Sequence, residues 1–246
     1  RPSPWRTTAA GRKSPCGRIS VLNDYDSYLQ KLEQQLAKKE KELAQISDEV
    51  SEIRQRSAVK LVSEIKSALN DLNFLDVQFD MQFDRLPDYT ANGIDAPEFL
   101  ISTNPGEPLK PLGKVASGGE LSRIMLGIKT IMAENDHIES LIFDEIDSGI
   151  SGRTAQMVSE KMNELGRNHQ IICITHLPQI AAMADAHFLI EKAVENKSTV
   201  SRIRRLTDND SVAELARMLG GAKITDTVME SAREMKELAM EKKALS

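Results

Sequence analysis

The chain has 246 residues, of which 40% are hydrophobic and 28% are charged, with a net charge of −5. This length allows one large domain or two small ones, and the apolar fraction suffices for a hydrophobic core. The charge gives no overall attraction to DNA, and no run of about 18 apolar residues predicts a membrane span. Aromatic residues make up only 4% of the chain, which argues against a surface that binds single strands by base stacking. Two cysteines form no disulfide framework, and Cys173 is predicted to be a core thiol in a reducing compartment.

Residues 1–22 are predicted to be an unstructured basic segment, because the first 20 contain five basic residues, three prolines and no acidic residue. From residue 25 onward, apolar residues recur at alternating steps of four and three, which is typical of a coiled-coil seam. The seam consists of Tyr25, Leu29, Leu32, Leu36, Leu43, Ile46, Val50 and Ile53, with Lys39 as its one polar member. We predict a coiled-coil arm strand over residues 23–60 and a globular part over residues 61–246. The chain has no second heptad run of this length, so the partner strand is predicted to lie elsewhere.

The globular part is predicted to alternate strands and helices. Strands are expected at 77–83 and near 97–102, and a helix is expected from about 118 to 134. The segments "SLIFDEID" and "QIICIT" are predicted strands that flank a helix over residues 152–165. A short helix, two further strands and two C-terminal helices, near 211–219 and 225–243, complete the order. This alternation with apolar strands predicts an α/β fold with a mainly parallel core sheet.

The first candidate site is the stretch "GKVASGGELSRIMLGIK", in which Ser117, Gly118 and Gly119 lead into Glu120 and an apolar helix. Free N–H groups of a first helical turn attract anions, and glycines let a large anion approach the backbone. The alternative is an ordinary serine N-cap followed by a capping carboxylate.

Two further candidates follow apolar strands. Asp144 and Glu145 end the strand "LIF", where open α/β sheets bind ligands. Asp144 would suit Mg²⁺, and Glu145 would orient or deprotonate a water molecule, unless both are merely solvated acids. His176 follows the next strand and would contact a terminal phosphate, unless it is a structural histidine.

The order of these motifs resembles that of ABC-type ATPases. "SGGELSR" resembles their signature motif, "LIFDEID" their Walker B motif, "SGISG" at residues 148–152 their D-loop, and "THLPQIAAMAD" their switch-histidine region. The wording of "ISTNPGEPLKPLGKVASGGELSRIMLGIK" and "LIFDEIDSGISGRTAQ" is closer still to the RecN family of SMC-like ATPases in bacterial DNA repair. The resemblance runs from about residue 25 to the C-terminus.

This resemblance implies the C-terminal lobe of an ABC/SMC-type ATPase head that uses ATP and Mg²⁺. Glu145 and His176 would be catalytic, and Asp144 would bind the metal in the same head. The nucleotide held by a second head would be contacted by Ser117, Gly118, Gly119 and Glu120, with Ser148 and Gly149 of the D-loop beside them.

The family also has a phosphate-binding Walker A loop, G-x-x-x-x-G-K-[ST], which these 246 residues lack. We therefore expect the chain to be the C-terminal half of a head, inactive alone and paired with an N-terminal half that carries Walker A and the outgoing coil strand. A second head in a homodimer and DNA are the other expected partners, with no membrane, in the bacterial cytoplasm near the nucleoid. The alternatives are another SMC-like chromosome or repair ATPase and a non-catalytic coiled-coil dimerisation module.

Overall fold

The computed structural model describes residues 15–74, 76–115, 117–133, 137–195, 198–221 and 223–245. These residues form the helices α1 Pro15–Asp71, α2 Gly118–Met132, α3 Gly152–Leu165, α4 Pro178–Ala182, α5 Asp208–Gly220 and α6 Asp226–Leu245. They also form the strands β1 Gln78–Thr90, β2 Gly93–Ser102, β3 Lys110–Pro111, β4 Ser140–Phe143, β5 Gln170–Cys173, β6 Phe188–Glu195 and β7 Ser198–Arg205. The predicted order of elements is confirmed. The short strand β3 and a 3-10 turn at Leu112–Lys114 lie between the second predicted strand and α2, where no element was predicted.

Helix α1 confirms the predicted long helix but begins earlier than expected. It starts at Pro15, inside the segment 1–22 that was predicted to be unstructured, whereas residues 1–14 lie outside the described residues. The difference has a physical reason, because the first turn of a helix accepts a proline without losing a hydrogen bond. Seven of the eight apolar seam residues are between 38% and 59% exposed, and Val50 is half-buried. Among the described residues, the seam therefore remains without a covering partner.

The described chain divides into two compact units, and the first combines the described part of residues 1–56 with residues 85–95. Here Asp95 packs against α1 with its side chain only 6% exposed. Its carboxylate accepts hydrogen bonds from Ser51 Oγ at 2.7 Å and Arg54 Nη1 at 3.0 Å. The Ser51 hydrogen bond, helped by the Arg54 guanidinium and opposed by burial, lowers the pKa of Asp95. Neither Ser51 nor Arg54 belongs to the seam, so this contact leaves the seam open.

The second unit contains the described residues of Ser57–Asp84 and Ala96–Ser246. Its larger core is built from the end of α1, from α2 and α3, and from β4 and β5. Nine apolar side chains of the described residues in it are at most 2% exposed: Ile65, Leu69, Leu72, Ile101, Ile124, Leu126, Ile146, Val158 and Leu165. The C-terminal part of α1, from Leu61 onward, therefore packs in this core.

The strands pair in three separate sheets. Strands β4 and β5 are parallel, with Leu141 opposite Ile171 and Phe143 opposite Cys173. Strand β2 pairs antiparallel with β3 and also neighbours β1, while β6 pairs antiparallel with β7. The predicted mainly parallel core sheet is thus visible only as the β4–β5 pair among the described strands. Strand periodicity fixes which face each side chain occupies, but it does not specify the partner strand or its direction.

The β4–β5 sheet is covered on one face only. On the covered face, Phe143 is buried, and Leu141, Ile171 and Cys173 pack against the larger core. On the other face, the apolar side chains of Ile142, Ile172 and Ile174 are 69%, 45% and 51% exposed. Parallel sheets ordinarily have both faces covered. Among the described residues, none covers this open face of the sheet.

Helices α4, α5 and α6 form a second, smaller core around Leu215, Ala216 and Ala232. Lys236 on α6 donates hydrogen bonds to the carbonyl oxygens of Ala182 and Ala184 at 3.0 and 3.2 Å, which satisfies the C-terminal end of α4. Burial lowers the pKa of this lysine. None of the described helices is long and apolar enough to span a membrane.

Candidate functional site

The turn of Ser117, Gly118 and Gly119, called the signature turn below, begins helix α2. Ser117 is the N-cap, with φ −102° and ψ 123°, and its hydroxyl accepts a hydrogen bond from the N–H of Glu120 at 3.4 Å. The serine N-cap considered in the sequence analysis is therefore present, with Glu120 in the first helical turn. Gly118 is exposed and Gly119 is buried.

The two glycines pack against residues 144–148, which follow β4 and are called the 144–148 loop. A Cβ at Gly118 would lie 2.8 Å from Oε2 of Glu145. A Cβ at Gly119 would lie 2.8 Å from both the carbonyl oxygen of Glu145 and Cβ of Ser148. A Cβ at Gly119 would meet backbone, so this glycine is needed for close packing within the chain, whereas a Cβ at Gly118 would meet only the flexible end of the Glu145 side chain. Sequence analysis attributed them to anion access alone and missed this contact.

The two carboxylates lie just beyond β4 rather than on it. Asp144 is exposed, and its Oδ1 accepts a hydrogen bond from the N–H of Glu145 at 2.9 Å. Glu145 has a φ of +57°, a left-handed conformation that costs a non-glycine residue about 1–3 kcal/mol. The chain therefore turns at Glu145, directly after β4. Strained residues of this kind are found where surrounding contacts hold them in place.

Helix α2 supplies contacts that hold this loop. Ser122 Oγ donates to the carbonyl oxygen of Asp144 at 2.9 Å. Nη1 of Arg123 donates to the carbonyl oxygens of Ile146 and Ser148 at 3.2 and 2.8 Å. The guanidinium carbon lies 5.6 Å from the centre of the Phe74 ring, and burial lowers the pKa of Arg123. The role of Arg123 was not predicted from the sequence.

The loop also contacts the end of β5 through Asp147, which is only 4% exposed. One oxygen, Oδ2, accepts hydrogen bonds from Thr175 Oγ1 at 2.6 Å and from the N–H of His176 at 2.7 Å. The same oxygen lies 3.0 Å from Nδ1 of His176, whose side chain is 72% exposed. The predicted site residue His176 is thus hydrogen-bonded, through its N–H, to Asp147 of the same loop that contains the predicted residue Glu145.

A cavity of about 300 Å³ lies beside the signature turn. Two predicted site residues, Glu120 and Gly149, line this cavity. Arg123, which was not predicted, lines it as well. Gly149 has a φ of +72°, which suits the glycine found in this D-loop-like turn. Ser148 is exposed next to it. The residues Asp144, Glu145 and His176 do not line this cavity.

The described residues contain no group of three or more His, Cys, Asp or Glu side chains that could hold a metal ion. A site built on Asp144 alone fits Mg²⁺ only if phosphate oxygens and water supply the other ligands, as is usual for this cation. Cys173 is a free thiol, and burial raises its pKa to about 12, with Asp147 and Asp144 adding to the effect. It therefore stays a protonated, unreactive thiol, as expected for a core residue.

No protein-family model matches the chain. The DNA repair protein RecN of Bacillus subtilis is 42% identical over 232 residues, covering 88% of this chain and 40% of the relative. RecN of Halalkalibacterium halodurans is 41% identical over 218 residues, covering 87% and 39%, and RecN of Vibrio cholerae is 36% identical over 219 residues, covering 89% and 40%. This chain is RecN-like. It spans about 40% of the length of these relatives.

A solved structure supports the fold. The Smc head domain with a coiled coil and joint from Pyrococcus yayanosii matches with a TM-score of 0.51 and 21% identity. The match covers 80% of this chain and 37% of that one. The fold of the RecN-like chain is therefore that of part of an SMC head with its coiled coil.

Proposed function

We propose that this chain is the C-terminal part of an SMC-like ATPase that acts in DNA double-strand-break repair by recombination. The observation that carries the proposal is the convergence of three motifs on the 144–148 loop. The signature turn packs against it, Asp144 and Glu145 belong to it, and His176 is hydrogen-bonded to it. Similarity to RecN proteins over 88% of the chain supports the same conclusion.

The residues have distinct proposed roles toward ATP and Mg²⁺. Asp144 holds the cation, directly or through water, and Glu145 orients the attacking water and accepts its proton. His176 contacts the terminal phosphate. When bound, Mg²⁺ neutralises negative charge on the phosphates.

The signature turn is proposed to act on the nucleotide held by a second copy of the head. N–H groups at the start of α2, with the helix dipole, attract the terminal phosphate of that nucleotide. The residues proposed for this contact are Ser117, Gly118, Gly119, Glu120, Ser148 and Gly149. A homodimer in which two heads enclose two nucleotides follows from this arrangement.

The N-terminal half of the same head is the proposed partner that completes the site. It would supply the Walker A loop, which the 246 residues lack, and the outgoing strand of the coiled coil. Two apolar surfaces support this proposal: the open face of the β4–β5 sheet and the exposed seam on α1. In this view, residues 23–60 are the arm, residues 61–246 are part of the head, and residues 1–22 lie outside both. The complete assembly is proposed to bind DNA in the bacterial cytoplasm at the nucleoid.

The test compares the chain alone with the chain co-expressed with the N-terminal portion of a RecN relative. We expect the chain alone neither to bind ATP tightly nor to hydrolyse it, and the reassembled head to do both in the presence of Mg²⁺. In the reassembled head, Glu145→Gln should retain ATP binding and lower turnover by roughly 100-fold or more, because an amide cannot accept the proton. Asp144→Asn should instead weaken Mg²⁺-dependent binding.

Each outcome separates the proposal from its rivals. Turnover by the purified chain alone would contradict the need for the missing half. A reassembled complex that dimerises but never binds ATP would favour a non-catalytic coiled-coil module.

A further inference from the structure

Asp147 has a buried carboxylate, and its hydrogen bonds go to Thr175 and His176, in the segment that follows β5. Its Oδ2 is within 3.0 Å of Thr175 Oγ1, the N–H of His176 and Nδ1 of His176. A buried polar group is tolerated when it is hydrogen-bonded, and here two donors, Thr175 Oγ1 and the N–H of His176, share this one oxygen. The carboxylate therefore fixes the chain at the end of β5.

The contact with the imidazole has a chemical consequence. Nδ1 of His176 lies 3.0 Å from Oδ2 of Asp147, and because two acceptors this close would repel each other, an ionised carboxylate favours the imidazole form with a proton on Nδ1. The other ring nitrogen, Nε2, is then left for a ligand, since the histidine side chain is 72% exposed. In neutral histidine this arrangement makes Nε2 an acceptor, and in protonated histidine it makes Nε2 a donor.

The backbone around the histidine is fixed by the same carboxylate. Thr175 Oγ1 donates to Asp147 and accepts a hydrogen bond from the N–H of Leu177 at 3.0 Å. These hydrogen bonds hold the backbone of residues 175–177 just before α4. Nδ1 of the His176 ring also faces the Asp147 carboxylate.

We propose that Asp147 is a positioning residue that holds the His176 ring with Nδ1–H turned inward and presents Nε2 to the ligand. The identity of that ligand as a terminal phosphate rests on the proposed function above. The orientation of the ring does not rest on it, because it follows from the distances within this chain. A positioning role of this kind resembles the carboxylates that orient histidines at metal sites.

Ring ¹⁵N NMR on the purified 246-residue chain tests the orientation without any nucleotide. At a pH of about 9, where free imidazole is neutral, His176 should carry its proton on Nδ1 in the wild type. Asp147→Ala should shift the proton to Nε2, and Asp147→Asn should restore much of the Nδ1 form, because its amide oxygen still accepts. Thr175→Val is the matched control, since it removes one hydrogen bond to Asp147 but leaves the ring contact.

Two NMR results would overturn the proposal. One is a wild-type His176 with its proton on Nε2, and the other is an Asp147→Ala chain that folds with an unchanged ring. If Asp147→Ala does not fold, the wild-type tautomer and the Asp147→Asn chain still decide.

Activity of the complete protein gives a second, separate measurement. Asp147→Asn should retain most of kcat, because its amide oxygen still accepts, whereas Asp147→Ala should lower kcat by roughly 10-fold with little change in KM, in the range typical of residues that orient a reacting group. In a His176→Ala background the same change should have almost no further effect, because Asp147 acts through the imidazole. Losses that multiply in the double variant would show that Asp147 is merely structural. If the wild-type protein hydrolyses no ATP, the proposed function fails while the NMR result on Asp147 stands.

Discussion

Gly118 and Gly119 are adjacent in the signature turn but touch different kinds of atom. At Gly118 the nearest atom to an added Cβ is the end of the flexible Glu145 side chain, whereas at Gly119 it is backbone and Cβ of the 144–148 loop. Alanine also stabilises a helix by about 1 kcal/mol relative to glycine. We therefore expect Gly119→Ala to lower the free energy of unfolding by about 1–3 kcal/mol, since the loop must shift. Gly118→Ala should stay within about 1 kcal/mol of wild type, because only the Glu145 carboxylate has to move.

Urea denaturation of the chain measures both variants. Gly113→Ala is the matched control, because a Cβ at that glycine meets nothing within 4 Å. Equal stability losses at Gly118 and Gly119 would contradict the packing described here.

At the residue scale, the sequence predicted which residues form the site but not how they touch. "SGGE", "DE" and the histidine were recognisable because each follows or begins a regular element. The left-handed Glu145 and the contacts of Asp147 were not predictable, because they depend on a turn whose conformation has no period. Side chains that hold a loop from a distant element, such as Arg123, carry no local signal of their role.

Arg123 donates hydrogen bonds from helix α2 to the 144–148 loop, and this gives a prediction at the scale of elements. Arg123→Met should lower the free energy of unfolding by about 2–3 kcal/mol, because two carbonyl oxygens lose their donor and the contact with Phe74 is lost. Arg123→Lys should be intermediate, since an ammonium cannot span both carbonyls as a guanidinium does. Chemical denaturation measures the change, with Arg153→Met on the exposed face of α3 as the control. A loss as small as that of the control would remove Arg123 from this role.

The contact of Asp95 with α1 gives a prediction about pH. Because its pKa is lowered on folding, Asp95 stabilises its unit fully above the ordinary aspartate pKa of about 3.9. This contribution is lost as the pH falls through the lowered pKa, since a protonated carboxyl cannot accept both hydrogen bonds equally well. Ser51→Ala should raise the pKa of Asp95, as measured by ¹³C NMR of its carboxyl carbon. Ser63→Ala, at an exposed position of the same helix, should leave it unchanged.

Elements were predicted more reliably than their pairing. Helix α3 has the bounds Gly152–Leu165 that its sequence indicated, since its apolar residues follow the helical period and Gly166 lies at its C-cap. Helix α1 was recognised from its heptads, although its start was missed because proline fits a first turn. The parallel sheet was predicted larger than the β4–β5 pair, because alternation within a strand does not encode its neighbours.

In both units, apolar side chains of the described residues remain exposed that folded proteins ordinarily cover. Ile142, Ile172 and Ile174 form the open face of the β4–β5 sheet, and the seam on α1 is exposed in the other unit. Such surfaces commonly mark contacts with further protein. The sequence indicates contact with further protein independently, through a heptad run without a partner and the missing Walker A motif.

The proposed action of the signature turn on a second head can be tested in the full-length protein. Ser117→Arg places bulk at the mouth of α2, where a terminal phosphate of the other head is proposed to bind. Each head should still bind ATP, because its Walker A loop and Asp144 are unchanged, but ATP-dependent pairing and hydrolysis should be lost. Gly118→Asp is a poorer choice, since its carboxylate would lie beside Glu145 of the same chain and be repelled by it.

Mixing two inactive variants distinguishes action between heads from action within one head. One head carries a defective Walker A loop and an intact signature turn, and the other carries Ser117→Arg and an intact Walker A loop. If the turn acts across the dimer, one of the two shared sites combines both intact halves, so turnover should return to at most about half of the wild-type level per dimer. If the turn acts on its own nucleotide, neither head has a complete site and turnover should stay absent. The measurement is phosphate release across a series of mixing ratios, and loss of ATP binding by the isolated Ser117→Arg head would show that the turn serves its own nucleotide.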